Sequence, residues 1–205
     1  YSAIYVAGVL SQDTTLENVN VNRFLIFFCN ALLLLMAFPF TYLFEKIFGF
    51  VSVLTLLEIS STNTKALRDL SNKAPGTFQH SVQVANIAED MINEIGGDSL
   101  LARVGALYHD IGKMYAPLYF TENQTSGFNP HAELESENSA SIIIAHVRNG
   151  VEMAKKYHLP EGVIDFIRTH HGTTKTGYFY NRYIIEHPDE PVDEALFAYN
   201  GPKPY

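Results

Sequence analysis

The hydrophobic pattern changes character part-way along the chain. From Phe24 to Phe44 the stretch "FLIFFCNALLLLMAFPFTYLF" carries no charge in 21 residues. At about 1.5 Å per residue a helix of that length spans roughly 31 Å, the thickness of a bilayer core. This predicts a transmembrane helix over 24–44, with Pro39 tolerated inside it because neighbouring groups can satisfy the freed carbonyl. The opening "YSAIYVAGVL" reads as the tail of a preceding span, joined by the polar "SQDTTLENVNVN", so residues 1–57 are expected to form a helical hairpin in the lipid bilayer plus a connector. Lys46, Lys65, Arg68 and Lys73 follow the span against Arg23 alone before it, which places the C-terminal part on the cytoplasmic side.

From about Glu58 the apolar positions recur at helical spacing with almost no strand alternation, predicting an all-α domain over residues 58–205. In "TFQHSVQVANIAEDMINEIGG", His80, Val84, Ile87, Met91 and Ile95 fall three and four residues apart, an apolar stripe that would turn His80 inward, closed by Gly96 and Gly97. Asp98 or Ser99 is expected to cap the next helix, "LLARVGALYHDIG", ended by Gly112. "ENSASIIIAHVRNG" is expected to stop at Gly150, and Pro160 to open "PEGVIDFIRTHHG".

Composition narrows the chemistry. The single cysteine, Cys29, excludes a disulfide framework and a cysteine-rich zinc site. A formal charge of −8, with Lys and Arg scattered, excludes a surface that holds DNA or RNA by neutralising phosphates. The chain starts inside an apolar run at Tyr1 without the basic region of a signal peptide, and reads as an internal fragment.

Five of the eight histidines fall, with one aspartate, in the order His80, His109, Asp110, His146, His170, His171. The spacing lets one ligand group come from each of four helices. Burying this many imidazoles costs desolvation that apolar residues avoid, so the cluster points to a metal. Imidazole and carboxylate without thiolate suit manganese, iron, zinc or cobalt. Asp110 has two oxygens and can bridge two cations, the requirement of two-metal hydrolysis, and Lys113 lies within reach of an anion bound to them. The plainer role for Lys113 is a solvated cation at a helix end, favoured by the dipole.

The segments "PGTFQH", "ALYHDIGKM", "ENQ", "NPH", "AHVRNG" and "THHGT" resemble the HD-domain phosphohydrolases, and in particular the seven-transmembrane HD family of bacterial cyclic di-AMP phosphodiesterases. The resemblance runs over nearly the whole chain, including "YLFEKIFGFVSVLTLLEIS" and "YNGPKP". It implies an HD-domain helical bundle behind a membrane anchor in the bacterial inner membrane, a cyclic dinucleotide as substrate, and two divalent transition metal ions, manganese or iron. By the same resemblance one metal is held by His80, His109 and Asp110, and the second by Asp110, His146, His170 and His171. Asp110 and Lys113 are the catalytic candidates, with Lys113 also binding substrate. The family's last aspartate ligand is expected beyond Tyr205, since Asp189 and Asp193 sit in a polar segment read as a solvated loop. Asn123 and His131 match family segments, and the resemblance leaves two readings: a loop shaped over the site, or a turn before a helix with His131 half exposed. Gly177 and Tyr178 are followed by Phe179, so the GYP signature of cyclic di-GMP hydrolases is missing. A di-iron oxygenase and a silent nucleotide-binding module remain alternative readings of the same ligand set, and a homo-oligomer is left open.

Overall fold

The computed structural model describes residues 2–10, 20–124, 127, 129–189 and 191–202. It divides into two compact units, Tyr1–Phe50 and Val51–Tyr205. The composition change near Glu58 lies inside the first helix of the second unit, seven residues past the boundary at Val51.

The first unit holds α1 (Ser2–Leu10) and α2 (Val21–Phe48). Tyr5 of α1 meets Phe24 and Phe27 of α2 edge-on at 5.8 and 6.1 Å, and its hydroxyl accepts from Asn20 N–H, so the two helices pack on one another. The loop expected between them lies largely outside the described residues. α2 is capped by Asn20 at its start and ended by Gly49, whose φ of 70° is open to glycine at no steric cost. Its 28 residues, with a mean hydropathy of 2.2 in the most apolar window and none of that window buried, are long and apolar enough to cross a membrane.

The second unit is all helix among the described residues, apart from one isolated bridge between Lys175 and Ala198. α3 (Val53–Ser60), α5 (Pro75–Ile95) and α8 (Glu161–Thr169) pack around α6 (Ser99–Tyr108), and α4 (Lys65–Lys73) lies against α5. α7 (Ser136–Lys156) packs on the short 3-10 turn Ile111–Tyr115, on α8 and on α9 (Gly177–Glu186). α6 can be central because it is apolar nearly all round: Ala102, Val104, Gly105, Ala106, Leu107 and Tyr108 are all buried. The buried Tyr108 hydroxyl is satisfied, donating to Ile59 O at 2.8 Å beside Thr64 Oγ1 at 3.0 Å. Asp98 caps α6 by accepting from Leu101 N–H at 2.9 Å.

Four local expectations are overturned. On α5 the apolar stripe faces outward: Ile87, Met91 and Ile95 are 60, 64 and 78% exposed, and His80 is exposed with them. The buried positions are Thr77, Ser81 and Ala85, because small side chains let α5 lie close against α6, and Val84 is only partly buried. Gly150 does not end α7, which continues through it to Lys156. Gly112 does not end α6 either. That helix stops at Tyr108, and Gly112 sits in the following 3-10 turn, where its bare Cα touches the α7 backbone at His146 and Gly150. The segment around Asp193 is likewise more than a solvated loop: Asp193 caps a 3-10 turn, Glu194–Phe197, that buries Phe197 against Ala140 and Phe179.

Candidate metal centre

His109 and Asp110 follow directly from the end of α6, His80 comes from the first half of α5, His146 from the middle of α7, and His170 and His171 from the end of α8. The structure brings all six together. Ligand atoms of Asp110, His146, His170 and His171 lie within 4.8 Å of one another, as do those of His80, His109 and Asp110. Asp110 belongs to both groups and is 2% exposed.

Its two oxygens face different partners. Oδ2 lies 3.0 Å from His109 Nε2 and 2.9 Å from Lys113 Nζ. Oδ1 lies 3.3 Å from His146 Nε2 and 3.6 Å from His170 Nε2, yet is buried without a hydrogen bond of acceptable geometry. The imidazoles are held by their other nitrogen: Nδ1 of His109 meets Ala106 O at 2.7 Å, that of His146 meets Ile143 O at 2.5 Å, and that of His170 meets Ile167 O at 3.0 Å. A carbonyl only accepts, so each Nδ1 carries a proton, and in the neutral ring each Nε2 presents a lone pair. Those lone pairs point at one another, 3.4 Å apart between His146 and His170, and at a carboxylate. Such an arrangement is repulsive for neutral rings and becomes favourable around a cation, and backbone carbonyls fixing the far nitrogen are the usual support of a ligating histidine. The donor set therefore fits divalent metal.

The protonation preferences follow from the same crowding. Burial alone would raise the Asp110 carboxyl, but hydrogen bonding and charge from His109, with His146 and Lys113 beside it, hold it well below the usual carboxylate range. Burial pushes His170 down to about 4, with His109 adding to it, and His171 down to about 3, with His170 adding to it. His109 is displaced upward: burial opposes its charge, and Asp110 more than offsets that. Lys113 is raised because Asp110 and Glu122 outweigh its burial.

These shifts predict an acid-sensitive fold in the metal-free protein. Imidazoles of the unfolded chain titrate near pH 6.5, so between about pH 6.5 and 4 the unfolded state binds protons that His170 and His171 refuse in the native state. Their stabilising effect is present above that window and is lost on descending through it. His109 acts oppositely, its contribution being present below about pH 6.5 and lost as pH rises through its raised pKa. Two groups outweigh one, and the unfolding temperature of the chelator-treated protein is expected several degrees lower at about pH 5 than at about pH 7.

Around the cluster are residues that periodicity does not single out. Glu122 Oε1 accepts from Lys113 Nζ at 2.9 Å and from Thr77 Oγ1 at 2.9 Å. Asn123 accepts from Thr77 N–H at 3.1 Å and donates to Thr77 Oγ1 at 2.8 Å, so a residue 46 positions away caps the α5 N-terminus, whose own Ala74 cannot. Gly76 permits this approach, since a Cβ there would meet Glu122 O at 1.8 Å. Asn123→Ala is expected to cost about 1 kcal/mol, read as a fall of about 2–4 °C in unfolding temperature. Tyr199 stacks on His171 at 4.0 Å and 13°, covering one face of that ring. His131 is buried, its Nε2 2.9 Å from Tyr119 O, and takes no part in the ligand cluster.

Residues 77–197, more than half of the chain, match the HD domain family. The chain belongs to the HD domain family. All six ligand candidates lie within the matched HD segment. Over 162 residues the chain is 48% identical to the cyclic-di-AMP phosphodiesterase PgpH of Listeria monocytogenes, covering 79% of this chain and 22% of that protein. Over 206 residues it is 38% identical to PgpH of Bacillus subtilis, covering 98% of this chain and 28% of that protein. It thus spans about a quarter of the length of these relatives. Its fold matches the crystal structure of the L. monocytogenes PgpH HD domain in complex with cyclic-di-AMP, with a TM-score of 0.66, 48% identity, and coverage of 70% of this chain and 66% of that one.

Proposed function

We propose that this HD protein is a membrane-anchored phosphodiesterase that hydrolyses a cyclic dinucleotide, cyclic di-AMP, to the linear pApA, using two divalent cations, manganese or iron. One observation carries the reading: Nε2 lone pairs from His109, His146 and His170 converge on both oxygens of a single buried carboxylate, Asp110. Its similarity to PgpH supports the substrate. The 28-residue apolar α2 supports an anchor in the bacterial inner membrane, and the Lys and Arg that follow it support a cytoplasmic HD domain.

His80, His109 and Asp110 would hold one cation, and Asp110, His146, His170 and His171 the other. Bound there, the pair would supply a water acidic enough to act as nucleophile near neutral pH and would neutralise the phosphodiester. Such inorganic charge would let a chain of net charge −8 accept an anionic substrate. The remaining work falls to the protein. The carbonyls of Ala106, Ile143 and Ile167 keep three imidazoles in the tautomer with Nε2 free. Lys113, held protonated between Asp110 and Glu122, donates to a nonbridging phosphate oxygen, and Glu122 keeps it in place when substrate leaves.

The test is incubation of the manganese-loaded chain in detergent with cyclic di-AMP, with and without oxygen. Linear pApA forming equally in both supports the reading. Turnover that survives both His109→Ala and Asp110→Ala, or that needs oxygen, overturns it.

A further inference from the structure

α3 is apolar on both of its faces. Leu56 enters the main core, with Ile59 packed against that core. Val53, Leu54 and Leu57 fall on the opposite side and are 64, 58 and 52% exposed. A two-turn helix needs one apolar side to pack on α6, and a second such side has no use in water. Only residues 49–52 separate α3 from α2. At roughly 3.3–3.6 Å per residue that link reaches at most about 18 Å from Phe48 to Val53. A chain that leaves the hydrocarbon near the end of α2 therefore starts α3 close to the headgroups, a layer of roughly 5–8 Å.

The next helix supplies the charge that a lipid surface selects. Lys65, Arg68 and Lys73 of α4 are exposed, and none of them is in an ion pair among the described residues. Residues 53–73 hold two carboxylates against these three cations, Glu58 and Asp69, and Asp69 is taken up by the Tyr157 hydroxyl at 2.6 Å. The outward charge of α3 and α4 is thus basic, in a chain whose net charge is −8. An apolar helix face followed by unpaired cations is the composition of a segment that lies on anionic lipid.

We infer that α3 lies in the headgroup layer of the bilayer, with Val53, Leu54 and Leu57 against the acyl chains and Lys65, Arg68 and Lys73 against anionic lipid phosphates. The inference rests on the membrane-anchored reading above, and adds a lipid-binding surface on the second unit itself. Helices of this kind sit about 5–10 Å into the boundary between headgroups and acyl chains. Each Lys or Arg near an anionic surface favours the docked state about five-fold. The surface is one helix away from the ligand cluster: the Tyr108 hydroxyl donates to Ile59 O of α3 at 2.8 Å, and His109 and Asp110 follow Tyr108 directly.

The test uses the full chain, with Cys29→Ser to remove the native thiol, in phosphatidylcholine vesicles with and without phosphatidylglycerol. A polarity-sensitive fluorophore is attached at Leu54→Cys, at Leu57→Cys, and at Glu152→Cys, an exposed position of α7. A nitroxide carried on the upper acyl chain is expected to quench the first two labels several-fold more than the third, and more strongly on anionic vesicles. Lys65→Gln with Arg68→Gln is expected to lower the docked-to-undocked ratio about ten-fold or more on anionic vesicles and to leave it unchanged on neutral ones. Labels at Leu54 and Leu57 quenched no more than the one at Glu152 overturn the inference. Labels shielded from water but untouched by the lipid nitroxide overturn it too, because protein then covers the face. An unchanged ratio in the charge variant removes the cations from the surface. Alkaline washing separates the two readings: a chain retained in the vesicles with water-exposed labels keeps the anchor and loses the lipid surface, whereas a chain washed off loses both.

Discussion

Asp110→Asn is expected to strip the bound metal and to lower phosphodiesterase activity at least about a thousand-fold. The side chain keeps its volume, so the loss isolates charge and oxygen count. The native carboxylate has one oxygen beside His109 and the other beside His146 and His170. An asparagine offers a single oxygen and turns an amide N–H toward the other cation, replacing a ligand by a repulsive dipole. Helical content should be retained, because Lys113, which loses one anionic partner, keeps Glu122 at 2.9 Å. Metal content by elemental analysis and turnover of cyclic di-AMP check the result together. Asp90→Asn, at an exposed position of α5, should change neither. Retention of both metals with activity within ten-fold of the wild type would remove Asp110 from the centre of the account.

Gly112→Ala should be strongly destabilising although it adds a single methyl group. A Cβ at that position would lie 1.9 Å from His146 O, 2.5 Å from Gly150 N and 2.8 Å from Gly150 Cα. All three are backbone atoms, so no side chain can rotate away, and α7 must shift from the turn that follows Asp110. Overpacking of this kind costs about 3 kcal/mol or more, which for a chain of this size lowers the unfolding temperature by about 6–12 °C. The same shift carries His146 away from Asp110 Oδ1, so metal affinity should fall with stability. Gly177→Ala is the matched comparison, because a Cβ there meets nothing within 4 Å. Thermal unfolding that differs by less than a degree between the two variants would contradict the close backbone contact.

The ligand cluster was legible in the sequence because its signal is chemical. Histidine is uncommon, and five of eight recurring with one aspartate across separate apolar segments has few structural uses. The helices of the second unit were legible for a related reason: Asp98 before an apolar run, and glycines after one, have local physical meaning. Packing partners do not. On α5, periodicity selected Ile87, Met91 and Ile95, whereas the face that packs is Thr77, Ser81 and Ala85, since close helix approach favours small residues over large ones. Gly112 and Gly150 read as helix ends in isolation, and their actual use as a backbone contact between distant elements is visible only in three dimensions. Glu122 and Asn123 escape periodicity because they lie in a 3-10 turn of three residues and act on α5 from about 45 positions away. Tyr199 covers His171 from an irregular segment, where no repeat marks it.

The most direct measurement is anomalous diffraction from crystals of the manganese-loaded protein. Two peaks are predicted about 3.5–4 Å apart, one on each side of the Asp110 carboxylate, the first within bonding distance of His80 and His109 and the second of His146, His170 and His171. Density for manganese elsewhere with none between these side chains, at full metal occupancy in solution, would contradict the account.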